Sequence, residues 1–262
     1  MISFVGAGPG AADLITLRGA QRLAAADVVI WAASLVPEAL LEHCHTNVTL
    51  HDSKTMTLDD VCAVYAAHPE AQIVRLHSGD PTIYSAIGEQ IAWCHANGRS
   101  FEIVPGVSSM NATAALAGCE LTIPGVAQSV VITRLASGTR ASMPDRETIQ
   151  AYAATGATLA IFLSVGHVEE LTDRLLSTGS AYSADTPVVV GRRISWPDEQ
   201  LLRTTIGEMA SDVRAANLDA TTLFLVGPAL AGATDRRSHV YAADYTTRFR
   251  AATARSDGAV HV

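Results

Sequence analysis

A β-type run, Gln72-Ile73-Val74-Arg75-Leu76, passes without a spacer into His77-Ser78-Gly79-Asp80-Pro81-Thr82-Ile83-Tyr84, and this junction constrains the chain most. Ile87 and Ile91, with Ala86, Ala92 and Glu89-Gln90 around them, then read as a helix leaving it. A strand that ends this way sets a small, backbone-exposing loop at the carboxyl edge of a sheet, where ligands sit in open α/β folds. Gly79 lets the backbone approach a ligand, Pro81 stiffens the exit, and Asp80 offers a carboxylate to a hydroxyl or a cation. The same residue types also build ordinary turns, so the junction alone leaves both readings open.

Strand-like and helix-like segments alternate on either side of it. Ile2-Ser3-Phe4-Val5 reads as a strand and runs into Gly6-Ala7-Gly8-Pro9-Gly10-Ala11. Leu14, Leu17, Ala20 and Leu23 then fall at helical spacing, with Asp13 or Thr16 as the cap. Gly6-x-Gly8-x-x-Ala11 satisfies the dinucleotide fingerprint, which keeps an NAD(P)-dependent oxidoreductase among the alternatives. Two features count against it. Pro9 removes an N–H from the turn that would cradle a pyrophosphate. The second strand, Val28-Val29-Ile30-Trp31, ends in Ala32-Ala33-Ser34, where a ribose-binding acid belongs.

A short helix over 37–43, a strand over 48–50, a polar loop over 51–57 and a helix over 58–67 capped by Thr57 precede the junction. After it come a helix through Trp93 and a strand over 101–104 ending in Pro105-Gly106-Val107-Ser108-Ser109. Ser108 or Ser109 caps a helix over 110–117 that Gly118 stops, and hydroxyls and free N–H groups at such a helix start also suit a polar ligand. Residues 121–125 read as a linker. Beyond it, 129–133, 158–163 and 186–190 read as central strands, with 221–226 closing the sheet and helices over 146–154, 168–177 and 206–215. The expected fold class is therefore α/β, with one domain over 1–120, a second over 126–250 and a loose tail over 251–262, where apolar density has fallen.

At 48% hydrophobic and 17% charged, the 262 residues describe a globular chain with a large core. No apolar run reaches the ~18 residues of a membrane span, and no basic leader precedes the first strand, so a cytoplasmic location is expected. A net charge of −8 argues against nucleic acid as a partner. Of the 18 Lys and Arg residues only Lys54 is a lysine, and arginine is the cation that grips carboxylates bidentately. Cys44, Cys62, Cys94 and Cys119 lie far apart without a Cys-x-x-Cys pair. They are expected to be reduced and mostly buried, with no metal site and no disulfide framework.

Five blocks in order carry a resemblance. Gly6-Ala7-Gly8-Pro9-Gly10 with Leu14 to Gly19 and Ala26-Asp27-Val28-Val29 forms the first. His77-Ser78-Gly79-Asp80-Pro81 and Val104-Pro105-Gly106-Val107-Ser108-Ser109 follow. Ala160-Ile161-Phe162-Leu163-Ser164 and the stretch from Ala220 to Pro228 close the series. Together they resemble the tetrapyrrole (corrin/porphyrin) methylase family over nearly the whole chain. Ala32-Ala33-Ser34-Leu35-Val36, Glu120-Leu121-Thr122-Ile123-Pro124, Val131-Ile132-Thr133-Arg134 and Ser195-Trp196-Pro197-Asp198-Glu199 are similar to its branch acting at C11 of precorrin-4. Branches that methylate C2, C17 or C20 on the same scaffold are alternatives, as is a tetrapyrrole carrier without turnover.

The resemblance implies two α/β domains, a homodimer, and S-adenosylmethionine as methyl donor in the cleft between the domains, released as S-adenosylhomocysteine. It implies donor contacts at Pro9, Ser78, Gly79, Asp80, Ile83, Ser108, Ser109, Leu163 and Ile194. Asp80 or Asp52 is the expected carboxylate for the charge that passes from donor to ring. Arg134 and Arg193, each leaving a strand, are expected to bind the acidic side chains of the ring. Three positions depart from the family pattern: Ala11 stands where an acid is common, Leu163 where methionine is, and Lys54 where a small residue is.

Overall fold

The computed structural model describes residues 1–135, 142–232 and 238–253, and among these ten strands form two five-stranded sheets. The first sheet contains β1 (Ile2–Gly6), β2 (Val28–Trp31), β3 (Thr49–Asp52), β4 (Ile73–His77) and β5 (Phe101–Val104). It is parallel throughout, in the order β3-β2-β4-β1-β5. β1 and β2 are buried along their whole length, as a parallel sheet covered on both faces requires. Leu23 of α1 (Leu17–Ala24) packs with Val5, Val29 and Val74 on one face. Val61 and Tyr65 of α2 (Leu58–Ala67) and Cys94 of α3 (Ile87–Ala96) pack with Phe4, Ile30 and Ile73 on the other. Helix α2 starts in the expected place because Thr57 and Asp60 form a reciprocal capping box.

One local expectation shifts. The first helix is capped by Thr16, one of the two expected caps, whose hydroxyl accepts the Gly19 N–H at 3.1 Å, and so begins at Leu17. Ala12–Leu14 is a separate 3-10 turn, which leaves Leu17 exposed rather than in the core. The helix after the central junction starts at Ile87 as read, and Tyr84 and Ala86 ahead of it hold left-handed conformations at φ 52° and 50°.

The second sheet contains β6 (Val130–Arg134), β7 (Thr158–Phe162), β8 (Pro187–Arg192), β9 (Gln200–Thr205) and β10 (Thr222–Val226). Its order is β6-β7-β10-β8-β9, parallel only between β6 and β7. The strand expected to close this sheet, β10, is instead its centre, and β6 is an edge rather than a central strand. Both are apolar, and apolarity alone does not rank strands within a sheet. The unanticipated β9 is an edge strand that pairs only with β8, and its burial shows no regular alternation that would mark it in the sequence. Helices α5 (Ile149–Ala153), α6 (Val168–Leu175) and α7 (Ile206–Ala215) share a core with one face of this sheet.

The other face is covered from the first half of the chain. Ala114 of α4 (Ser109–Leu116) and Ala117 just beyond it pack against Ala160, Val189, Leu223 and Leu225. The second sheet therefore recruits a helix that precedes the expected linker, and small alanines permit the approach. Of the cysteines only Cys94 is buried; Cys44, Cys62 and Cys119 are half-buried, which corrects the expectation of mostly buried thiols. Among the described residues no helix is long and apolar enough to cross a membrane. Most of the expected tail, 254–262, lies outside the described residues.

Candidate active site

Three loops at the carboxyl ends of β1, β4 and β5 meet backbone to backbone. Gly8 and Gly79 exchange hydrogen bonds, Gly79 N–H to Gly8 O at 2.8 Å and Gly8 N–H to Gly79 O at 3.3 Å. The Ala7 N–H donates to the His77 carbonyl at 2.7 Å. Gly106 lies against both: a Cβ built there would stand 2.1 Å from Gly79 O and 2.8 Å from Gly6 Cα. This packing takes up the glycines of the dinucleotide fingerprint. The helix start that a pyrophosphate would need is also missing from that loop, since α1 begins only at Leu17.

Asp80 ties the second and third loops together. One oxygen accepts from the Thr82 N–H (2.8 Å) and hydroxyl (2.5 Å), the other from the Gly106 N–H at 3.0 Å. Burial alone would push its carboxyl up, but the Thr82 hydroxyl and the Gly106 and Thr82 N–H groups outweigh it and hold the pKa below the ordinary value. Its carboxylate is thus a positioning group between loops. Asp80→Asn is expected to cost roughly 1–3 kcal/mol, since an amide nitrogen must face one of those donors. The sign with pH follows: a depressed folded pKa gives stability that is present above the unfolded pKa and lost as pH falls through the folded one. Urea melts near neutrality and in acid check this; the gap between variant and wild type should narrow in acid, and a constant gap rejects the assignment.

Above these loops lies a cleft of about 590 Å³, walled from the other side by the second sheet. All nine residues named as donor contacts line it. Pro9, Ser78, Gly79, Asp80, Ile83, Ser108 and Ser109 come from the first sheet's loops, and Leu163 and Ile194 from the ends of β7 and β8. Ser108 caps α4 by accepting from the Met110 N–H at 3.3 Å. The wall carries unusual backbone: Tyr84, Leu163, Arg193 and Thr221 line it at φ 52°, 53°, 47° and 65°. Non-glycine residues held in this region cluster at ligand sites, where surrounding structure over-determines them.

Two residues that local reading did not single out lock the halves around the cleft. Trp196 donates its indole N–H to the Pro9 carbonyl at 3.0 Å, and Ser195 Oγ accepts from the Ala11 N–H at 2.9 Å. The departure at Ala11 thus leaves the turn tied down through its backbone. Arg193, expected at the ring, does line the cleft. Its guanidinium carbon stands 4.1 Å from the Trp196 ring centroid, and its Nε is 3.1 Å from Asp198 Oδ1.

The other two charged expectations fall elsewhere. Arg134 ends β6, bonds Ser142 Oγ at 2.6 Å and lines a smaller hollow with Asp145, Glu147 and Arg174; its charge still reaches the Tyr84 phenol. Asp52 is outside the cleft lining as well. Its carboxylate accepts from the Lys54 N–H (3.0 Å) and the Ala33 N–H (3.2 Å), which hold its pKa below the ordinary value. It is a turn-forming residue, because β3 is the edge strand and carries it to the rim of the sheet.

Fold and site together define an α/β protein in which a parallel and a mixed sheet close on one ligand cleft. The family model for tetrapyrrole (corrin/porphyrin) methylases matches residues 1–210, and the chain belongs to that family. It is 41% identical to a precorrin-4 C(11)-methyltransferase from Sinorhizobium sp. over 251 residues, covering 95% of this chain and 98% of that protein. The X-ray structure of a cobalt precorrin-4 methyltransferase of cobalamin biosynthesis superposes with a TM-score of 0.83 at 36% identity, over 87% of this chain and 95% of the other. The fold is also that of uroporphyrin-III C-methyltransferase from Thermus thermophilus, solved as its S-adenosylhomocysteine complex, with a TM-score of 0.71 at 24% identity over 87% and 98% of the two chains.

Proposed function

We propose that this protein transfers a methyl group from S-adenosylmethionine to C11 of precorrin-4, within corrin-ring biosynthesis. The observation that carries the reading is the gathering of all nine expected donor contacts on one cleft. The donor set suits such a molecule. Ser78, Ser108 and Ser109 offer hydroxyls, Gly79 leaves space open, and Leu163 and Ile194 offer apolar surface for a purine.

The donor supplies an electrophilic methyl on sulfur; the new bond forms to the ring carbon as the carbon–sulfur bond breaks, its electron pair staying on sulfur. What the chain contributes is alignment and exclusion of water. The glycine junction fixes the floor, and the Trp196–Pro9 hydrogen bond holds the second sheet's loops over it. In this reading Arg193, which lines the cleft, meets a ring carboxylate, and Arg134 acts farther out. The same reading includes an N-terminal unit over 1–120, a C-terminal unit over 126–250, a cytoplasmic homodimer, and no nucleic-acid or membrane partner.

Incubation with precorrin-4 and isotopically labelled donor tests it. Mass spectrometry should find one labelled methyl per ring, located at C11 by fragmentation. S-adenosylhomocysteine should bind with about one molecule per chain and raise the melting temperature by mass action. Label at another ring carbon, or NADH binding without S-adenosylhomocysteine binding, contradicts the proposal.

A further inference from the structure

The face of the first sheet that packs against α2 and α3 carries basic side chains near its carboxyl end. Parallel register sets His51, Ile30, Arg75 and Phe4 side by side across β3, β2, β4 and β1. His77 follows two residues after Arg75, hence on the same face. Arg75 and His77 both reach the lining of the cleft.

Neither is satisfied within the protein. His77 is only 7% exposed, and its Nε2 is buried without a hydrogen-bond partner. The Nε of Arg75 is likewise buried and unpartnered. Its Nη1 reaches only main-chain carbonyls, Ile30 at 3.2 Å and Leu76 at 3.5 Å. Among the described residues no carboxylate lies within ion-pair distance of Arg75. Asp80 holds Thr82 and Gly106, while Arg193, whose Nε is also buried without a hydrogen bond, has the Asp198 carboxylate at 3.1 Å, a countercharge that Arg75 lacks. Burial pushes the pKa of Arg75 down, and burial together with Arg75 pushes His77 down to about 3. A buried guanidinium and an imidazole with spare hydrogen-bonding capacity thus border the cleft, and neither has a carboxylate paired to it, an arrangement that costs stability unless an anion binds there.

We propose that Arg75 and His77, both of which line the cleft, form a subsite in its floor for one carboxylate of a bound ligand. The inference rests on the methyltransferase reading, under which both substrates carry that group: the donor in its amino-acid moiety, and the ring in its acidic side chains. A guanidinium meets a carboxylate with charge-assisted hydrogen bonds, and a fixed cation beneath the loops offers an acid a destination inside a protein of net charge −8.

The test uses the full chain with Arg75→Met and His77→Phe, both apolar replacements of similar size. Three quantities are read: the Kd of S-adenosylhomocysteine by calorimetry, the KM for precorrin-4 with labelled donor, and the melting temperature. If the carboxylate is the ring's, KM rises about tenfold or more in each variant while the donor Kd moves less than roughly twofold. If it is the donor's, the Kd rises by that factor instead, and the subsite stands with its source assigned. In either case the melting temperature without ligand should hold or rise, because Arg75→Met removes an unpaired buried charge and His77→Phe an unpartnered buried nitrogen; a purely structural role predicts that it falls. Folded variants with wild-type Kd and KM overturn the subsite while the methyltransferase reading survives. A wild-type chain that neither binds the homocysteine product nor turns over precorrin-4 overturns both. Should Arg75→Met fail to fold, His77→Phe, which keeps a ring against Phe4, carries the test alone.

Discussion

Gly106→Ala is expected to destabilise the protein by roughly 3 kcal/mol or more, at the top of the range for overpacking. The added methyl would lie 2.1 Å from the Gly79 carbonyl oxygen and 2.8 Å from Gly6 Cα, and both obstacles are backbone. That carbonyl cannot turn aside cheaply, because it accepts the Gly8 N–H and so joins the first two loops. Gly6 offers no relief, since a Cβ there would stand 2.6 Å from Gly106 Cα. Urea denaturation measures the loss, and calorimetry should show donor binding weakened with it, since all three loops wall the cleft. A variant within about 1 kcal/mol of wild type would mean that the loops part more easily than their contacts imply.

Gly79→Leu is expected to do the opposite: keep the fold and lose the ligand. Its φ of +66° strains any L side chain, a cost of about 1–2 kcal/mol. Space is not the obstacle, because the nearest atom to an added Cβ is Ser108 Cα at 3.8 Å. A leucine there fills the cleft instead, so S-adenosylhomocysteine affinity should fall by about a hundredfold or more while the melting transition stays cooperative. Complete unfolding would reduce Gly79 to a turn residue, and unchanged affinity would remove the loop from the site. Gly79 alone carries a positive φ, but the larger difference is what a side chain would meet, a carbonyl at Gly106 and a cavity at Gly79. That contrast separates scaffold from site within a single junction.

Strand, loop and helix positions were legible because their signals are local. Alternation of apolar runs, capping by Thr57 and Ser108, and glycine at strand ends each act within a few residues. Family resemblance added the expected donor contacts, and the first-sheet loops it named do converge, since strands of one parallel sheet all deliver their carboxyl ends to the same edge. Composition and spacing also spoke against a dinucleotide site, through Pro9 and the missing acid after β2.

What only the tertiary structure decided depends on partners distant in sequence. The central place of β10 and the edge places of β6 and β3 are properties of pairing, which no run carries by itself. Edge position is why Asp52 and Arg134 ended in turns and at the rim while Asp80, from a central strand, reached the cleft. Trp196 finds Pro9, and α4 finds the second sheet, across stretches that no periodicity spans. Within the run Gln72-Ile73-Val74-Arg75-Leu76, nothing local says where the arginine side chain ends. That Arg75 and His77 each bury an unpartnered nitrogen beside a cleft is a statement about everything around them. It follows from burial, which the sheet and its two helix layers create only when assembled.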